Sequence, residues 1–112
     1  MLANWDHDGY ELDDGEAIHA ASPDTFHLPT IDERTSLKPG DLVKLIFRIH
    51  VVSDDGESCC EVERMWVIVQ GRQDAYYLGT LDNDPYCTDG IKAGMNVVFL
   101  PKHVIDIYED AS

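Results

Sequence analysis

The fold is decided by three pieces of the C-terminal half: ERMWV at residues 63–67, YLGTLDNDP at 77–85 and GMNVVFLPKHVIDI at 94–107. Each piece carries an apolar, β-favouring run, and turns rich in Gly, Asn, Asp and Pro separate the runs. Short connections of this kind join neighbouring antiparallel strands. The pattern therefore predicts a small β-sheet domain, and it names no reaction.

Working outward, the spacing predicts five strands, at residues 41–52, 60–70, 75–82, 95–100 and 103–108. No helical segment lies between them, so parallel βαβ units are excluded. We expect a mainly β (α+β) fold, either a small curved antiparallel sheet or an SH3-like half-barrel. Alternation in the first strand places Val43, Leu45, Phe47, Ile49 and Val51 on one face. The other face carries Lys44, Arg48 and His50 together with Leu42, Ile46 and Val52.

The first 36 residues are predicted to be an acidic lead-in to a β domain at residues 37–112. Asp14 is the predicted N-cap of one short helix, which ends before Ser22-Pro23 because proline disfavours helical geometry in the preceding residue. We expect this helix to pack on an edge or opening of the sheet. The residues before it are interpreted as a polar segment.

The chain carries a formal net charge of −14, from 22 acids and eight Lys or Arg residues. Nine of the acids lie in residues 1–33, which contain no Lys or Arg. Such a field repels nucleic-acid phosphates and anionic lipid headgroups, so direct binding to nucleic acid or membrane is disfavoured. It attracts a basic protein partner, although the same charge also serves solubility.

Targeting and redox signals indicate a cytoplasmic protein. No apolar run approaches the roughly 18 residues of a transmembrane helix, and the N-terminus has no signal-peptide pattern. The three cysteines, Cys59, Cys60 and Cys87, include no Cys-x-x-Cys motif, and an odd count argues against a disulfide framework. Reduced thiols are the simplest interpretation.

No catalytic, metal or cofactor motif is present, and we predict no cofactor. Asn4 to Gly9 resembles the opening of a calcium loop, but its twelfth position is Gly15 where a carboxylate is needed. We interpret that segment as solvated and acidic. Cys87 has no activating motif, so a pairing with His103 has no support from the sequence.

The candidate partner-binding residues are strand and turn residues of the C-terminal half: Glu63, Trp66, Asp82, Asn83, Asp84, Pro85 and Tyr86. Trp66 lies mid-strand, where packing in the core is the favoured interpretation. On the outer face it would instead be an interface anchor, since Trp is enriched at binding hot spots. The acids of the turn also suit turn geometry, because Asp and Asn side chains bond their own backbone.

The same pieces resemble a YegJ-type bacterial domain of unknown function. The family pattern is roughly E-H-M-W-V, then G-x-L-x-N-x-P, then G-D-x-V-x-F and a closing I-x-D-W, and the resemblance covers the C-terminal two-fifths of the chain. This chain departs from it at Arg64, Met95 and Ile107, which stand in place of His, Asp and Trp. The resemblance implies a bacterial or phage origin and a compact sheet-rich domain, and it implies no mechanism.

Two functions are compatible with these observations. The first is a non-catalytic acidic module that docks a basic protein, as an immunity or inhibitor protein does. The second is a small-molecule-binding or enzymatic domain with a pocket between the Glu63–Trp66 strand and the Asp82–Tyr86 turn. The oligomeric state is open, because an unpaired strand edge can also bind a second copy.

Overall fold

The computed structural model describes residues 2–3, 8–83 and 91–108. In chain order its elements are β1 (Tyr10–Leu12), α1 (Gly15–Ala21), α2 (Ile31–Thr35), β2 (Leu42–Val52), β3 (Ser58–Gln73), β4 (Tyr76–Leu81), β5 (Asn96–Phe99), a 3₁₀ turn (Pro101–His103) and β6 (Val104–Ile107). Every strand pairing is antiparallel.

The sheet has six strands: β2 to β6 form a curled half-barrel, and the short β1 pairs with β2. Strands β2, β3, β4 and β5 pair in sequence order, and β6 pairs back with β2. The 3₁₀ turn carries the chain from β5 to β6, and Pro101 at its start ends the β5 ladder because proline has no N–H to donate. This arrangement confirms the predicted small curved antiparallel fold.

Strand β2 is the central element, since three other strands pair with it. Strand β3 runs along its whole length on one edge, from Leu42 opposite Ile68 to Val52 opposite Ser58. The other edge is shared. Strand β6 pairs with residues 43–45, and β1 pairs with residues 47–49.

The core lies inside the curl and consists of the inward residues of all the long strands. Val43, Leu45, Phe47 and Ile49 of β2 have no exposed surface, so they share one face as predicted, and this face is the buried one. Val51, the fifth predicted member, is half-buried because it lies beyond the end of β1. The facing side is supplied by β3, β4 and β5 through Val67, Val69, Tyr77, Leu81, Val97 and Phe99.

Both N-terminal helices pack where the sheet closes. Asp14 accepts a hydrogen bond from the Ala17 N–H and is the predicted N-cap. Arg34 of α2 is 6% exposed. Its guanidinium pairs with Glu16 of α1 at 2.6 Å and donates to the Pro101 carbonyl at 3.2 Å. A buried cation needs such partners, and these contacts hold α1, α2 and the 3₁₀ turn together.

Two local predictions are wrong. The segment before α1 was expected to be only polar, but Tyr10–Leu12 forms β1, because Tyr10 is 5% exposed and its ring lies 5.5 Å from that of Phe47. The turn expected at residues 71–74 is shorter. Strand β3 runs on to Gln73, and a two-residue turn begins at Asp74, whose φ is +56°. Asp tolerates that left-handed conformation better than most residues.

Candidate functional site

Trp66 lies on the outer face of the sheet, so the core interpretation is wrong. Its neighbours Met65 and Val67 point inward and are buried, and alternation therefore turns Trp66 outward, where it is half-buried. The Lys44 ammonium lies 4.7 Å from the centre of the Trp66 ring. Tyr108 meets the same ring edge-on, with the ring centres 6.0 Å apart.

Asp82 and Asn83 continue the pairing of β4 with β3 past the end of the strand. The Asp82 N–H donates to the Trp66 carbonyl at 2.9 Å, and the Asn83 Oδ1 accepts the Trp66 N–H at 2.6 Å. The Asn83 side chain thus takes the place of a backbone carbonyl. Its amide oxygen serves structure at this position, while the side chain of Asp82 stays exposed.

The structure brings together only part of the predicted partner-binding set. Trp66, Asp82 and Asn83 are neighbours. Glu63 lies two positions before Met65 and therefore on the same inward face of β3, whereas Trp66 lies on the outer face. The Glu63 side chain is half-buried. Asp84, Pro85 and Tyr86 lie outside the described residues.

A groove of about 490 Å³ lies on the outer face, between the loop that joins α1 to α2 and strands β2, β3 and β6. It is lined by Thr25, Phe26, His27, Leu28, Pro29, Glu33, Lys44, Arg64, Ile105, Asp106 and Ile107. The groove includes Arg64 but neither Asp82 nor Asn83, so it is not the pocket expected beside the Asp82–Tyr86 turn. That turn is described only as far as Asn83.

The cations of the groove rest on aromatic rings. The Arg64 guanidinium carbon lies 5.7 Å from the centre of the Phe26 ring, and Lys44 lies over Trp66. Among the described residues, neither Lys44 nor Arg64 has a carboxylate oxygen within 4.0 Å. Arg48, by contrast, pairs with Glu11 at 2.9 Å.

Each carboxylate of the groove accepts hydrogen bonds from nearby groups of the chain. Glu33 Oε1 accepts from both the N–H and the hydroxyl of Thr30, each at 3.0 Å, and these bonds lower the pKa of Glu33. Asp106 Oδ1 accepts the Ile107 N–H at 2.9 Å. The groove therefore contains two cations that rest on aromatic rings and two acids that accept hydrogen bonds from within the chain.

Large pKa shifts occur away from the groove. Burial, helped by Lys102, lowers the pKa of His103 to about 4, and burial, helped by Asp8, raises the pKa of Tyr10 to about 12. Neither side chain lines the groove. His103 Nδ1 accepts the Leu100 N–H at 2.9 Å, which is a structural role. Within the described residues, no cluster of three His, Cys, Asp or Glu side chains could hold a metal ion.

The tip of the β2–β3 hairpin projects beyond β1, and we call residues 51–62 the arm. Every residue from Val52 to Val62 is exposed. The arm contains four acids, Asp54, Asp55, Glu57 and Glu61, and no Lys or Arg. It also exposes two valines, Val52 at 60% and Val62 at 56%. The sequence-based site did not include it, although the sequence shows five acids and no Lys or Arg between Arg48 and Arg64.

Backbone N–H and carbonyl groups of β3 also point outward along one edge of the arm. Trp66 directs its N–H and carbonyl away from β2, towards Asp82 and Asn83. The backbone N–H and carbonyl groups of successive residues point alternately to the two sides of an antiparallel strand. Those of Cys60 and Val62 therefore point to the same side as those of Trp66. Both residues are exposed, and in the described part of the chain they pair only with β2.

The fold and these surfaces define a small acidic β half-barrel with a projecting hairpin and a lateral groove. Within the described residues, no helix has the length and apolar character needed to cross a bilayer. No protein-family model, curated protein or solved structure matches the chain. The resemblance to YegJ-type domains stays a prediction.

Proposed function

We propose that this chain is a small, non-catalytic binding module that docks a basic protein partner, in the manner of an immunity or inhibitor protein. The observation that carries the proposal is the arm, which is exposed along its length and holds four acids without a single Lys or Arg. The net charge of −14 supports it, because a strong field of one sign steers a partner of the opposite sign.

The chemistry of the arm suits a protein partner better than a lone cation. Val52 and Val62 expose apolar surface among the acids, and interfaces combine an apolar centre with a polar rim. The edge at Cys60 and Val62 adds backbone donors and acceptors, which suits an extended segment that joins the sheet as a further strand. A partner strand with basic side chains would satisfy both features.

The proposal includes a reducing, cytoplasmic setting in a bacterium. It is supported by the exposed thiols of Cys59 and Cys60, which are both free. Exposed free thiols are typical of reducing compartments, where disulfides do not persist. The resemblance to a bacterial family points the same way.

The test uses a synthetic probe, because the natural partner is not identified. The probe is a fluorescein-labelled peptide in which lysine alternates with valine and threonine, and its control carries glutamate in place of lysine. Fluorescence anisotropy should show binding of the basic peptide alone. The affinity should fall steeply between about 50 and about 300 mM salt, since exposed charges are screened over roughly 10 Å at 0.1 M.

Matched charge reversals locate the docking surface. The arm variant carries Asp54→Lys and Glu57→Lys, and the control carries Asp24→Lys and Asp32→Lys, so both change the net charge by the same amount. We expect the arm variant to weaken binding on the order of tenfold more than the control. Equal losses would refute docking through the arm. Asp82→Lys tests the turn surface, and a loss confined to that variant would move the site there.

A further inference from the structure

The groove on the outer face has the size of a small-ligand site. Its volume of about 490 Å³ falls within the usual range for such sites, roughly 300–1,000 Å³. Apolar side chains of β6 and of the connecting loop supply contact surface, among them Ile105, Ile107, Phe26 and Leu28. This lining can hold the apolar body of a ligand.

Two cations of the groove are placed to share one anionic group. Lys44 is opposite Trp66 in the β2–β3 pairing, and Ile46 is opposite Arg64. Lys44 and Arg64 are therefore diagonal neighbours on the same face, a relation that long side chains can bridge. Each is held by an aromatic ring, and within the described residues neither has an acidic partner.

Both acids of the groove already accept hydrogen bonds from within the chain. Glu33 completes the N-terminal cap of α2 with Thr30, and Asp106 accepts the N–H of the next residue. Asp106 lies opposite Lys44 in the β2–β6 pairing, so the four charged groups of the groove sum to zero formal charge, although among the described residues neither cation has a carboxylate oxygen within 4.0 Å. The net charge of −14 on the whole chain favours a monoanion over a more highly charged ligand.

We propose that the groove binds a small amphipathic carboxylate, with the carboxylate between Lys44 and Arg64 and an apolar ring or chain against Ile105, Ile107 and Leu28. Arginine and lysine bind carboxylates through charge-assisted hydrogen bonds, and Ile105, Ile107 and Leu28 supply apolar contacts for the ligand body. This site is separate from the arm, and it does not depend on the proposed docking function.

The test titrates the full chain with 2-naphthoate, its neutral isostere 2-naphthamide and the cation 2-naphthylmethylammonium, followed by amide chemical shifts in two-dimensional NMR. Naphthoate should bind about tenfold more tightly than the amide, as expected for charge-assisted bonds. The shifts should centre on Lys44, Arg64 and Ile105–Ile107. Equal binding of the three probes, or shifts centred elsewhere, would overturn the proposal.

Variants separate the anion site from general charge attraction. Lys44→Met and Arg64→Met keep the apolar stems and should each weaken naphthoate binding about three- to tenfold, without changing amide binding. The matched control is Arg72→Met, since Arg72 also rests on a ring, that of Tyr77 at 5.1 Å, outside the groove. Asp106→Asn keeps the acceptor for Ile107 and should tighten naphthoate binding about twofold. An equal loss in the Arg72 variant, or no loss in either groove variant, would refute the site.

Discussion

Two glycines in neighbouring strands give the sharpest test of the packing described above. A methyl group added to Gly79 of β4 would lie 2.5 Å from the Val67 Cγ1 and 2.9 Å from the Ile68 carbonyl oxygen. A methyl group added to Gly71 of β3 would meet nothing within 4 Å. Neither residue has positive φ, so alanine is compatible with the backbone of both.

The expected effects therefore have opposite signs. Overpacking a close-packed core costs about 1–3 kcal/mol, and the rigid Ile68 carbonyl places Gly79→Ala near about 2 kcal/mol of destabilisation. Gly71→Ala should instead stabilise by about 0.5 kcal/mol, because alanine has fewer unfolded conformations to lose. At about 4 °C per kcal/mol, the two variants should differ by roughly 10 °C in Tm.

Urea unfolding followed by circular dichroism measures the free energies, and calorimetry measures Tm. A further variant, Val67→Ala, removes the nearest side-chain atom, so Gly79→Ala should cost less in that background than in the natural chain. Equal stability of the Gly71 and Gly79 variants would show that β4 does not pack on Val67 as described. An unchanged cost in the Val67→Ala background would show that the side-chain contact is not the cause.

Two more measurements test local structure. Because burial lowers the pKa of His103 from 6.5 to about 4, the unfolded chain binds the extra proton between those pH values, and stability should fall as pH drops from 6.5 towards 4. The loss is at most about 3 kcal/mol. His103→Asn keeps an acceptor for the Leu100 N–H, and the stability of this variant should fall less steeply as the pH decreases. Parallel curves of stability against pH for the variant and the natural chain, measured by urea unfolding, would contradict this. Asn83→Ala leaves the Trp66 N–H without its acceptor and should cost about 1 kcal/mol, with a change in Trp66 fluorescence. Asn83→Asp is the control that keeps an acceptor, and equal losses in both variants would argue against the bond.

The strands could be predicted because their pattern is local. The alternation of Val43, Leu45, Phe47 and Ile49 is strong enough to place these residues on one face of β2, and the cap at Asp14 identifies the start of α1. Strand β1 was missed because three residues are too short for periodicity to register. Tyr10 becomes buried only through its contact with Phe47, which lies far along the chain.

The surfaces were harder to predict, because they depend on which elements meet. Hydrophobicity alone predicts that Trp66 lies in the core. Its neighbours Met65 and Val67 point inward, however, and alternation along the strand turns Trp66 outward. The groove forms only when the loop around Phe26 folds over β6 and β3, and no sequence pattern links those segments. The sequence shows Phe26 and Leu28 as apolar residues of a connecting segment, and it does not indicate which cations they meet.

The pairing of β2 has a consequence for the nascent chain. Residues 43–45 hydrogen-bond to β6, which is synthesised some 60 residues later. Until β6 emerges, this part of β2 presents an open edge next to apolar side chains, and such edges are prone to aggregation. The pairing of β6 with β2 is therefore the step that removes this open edge from the folding chain.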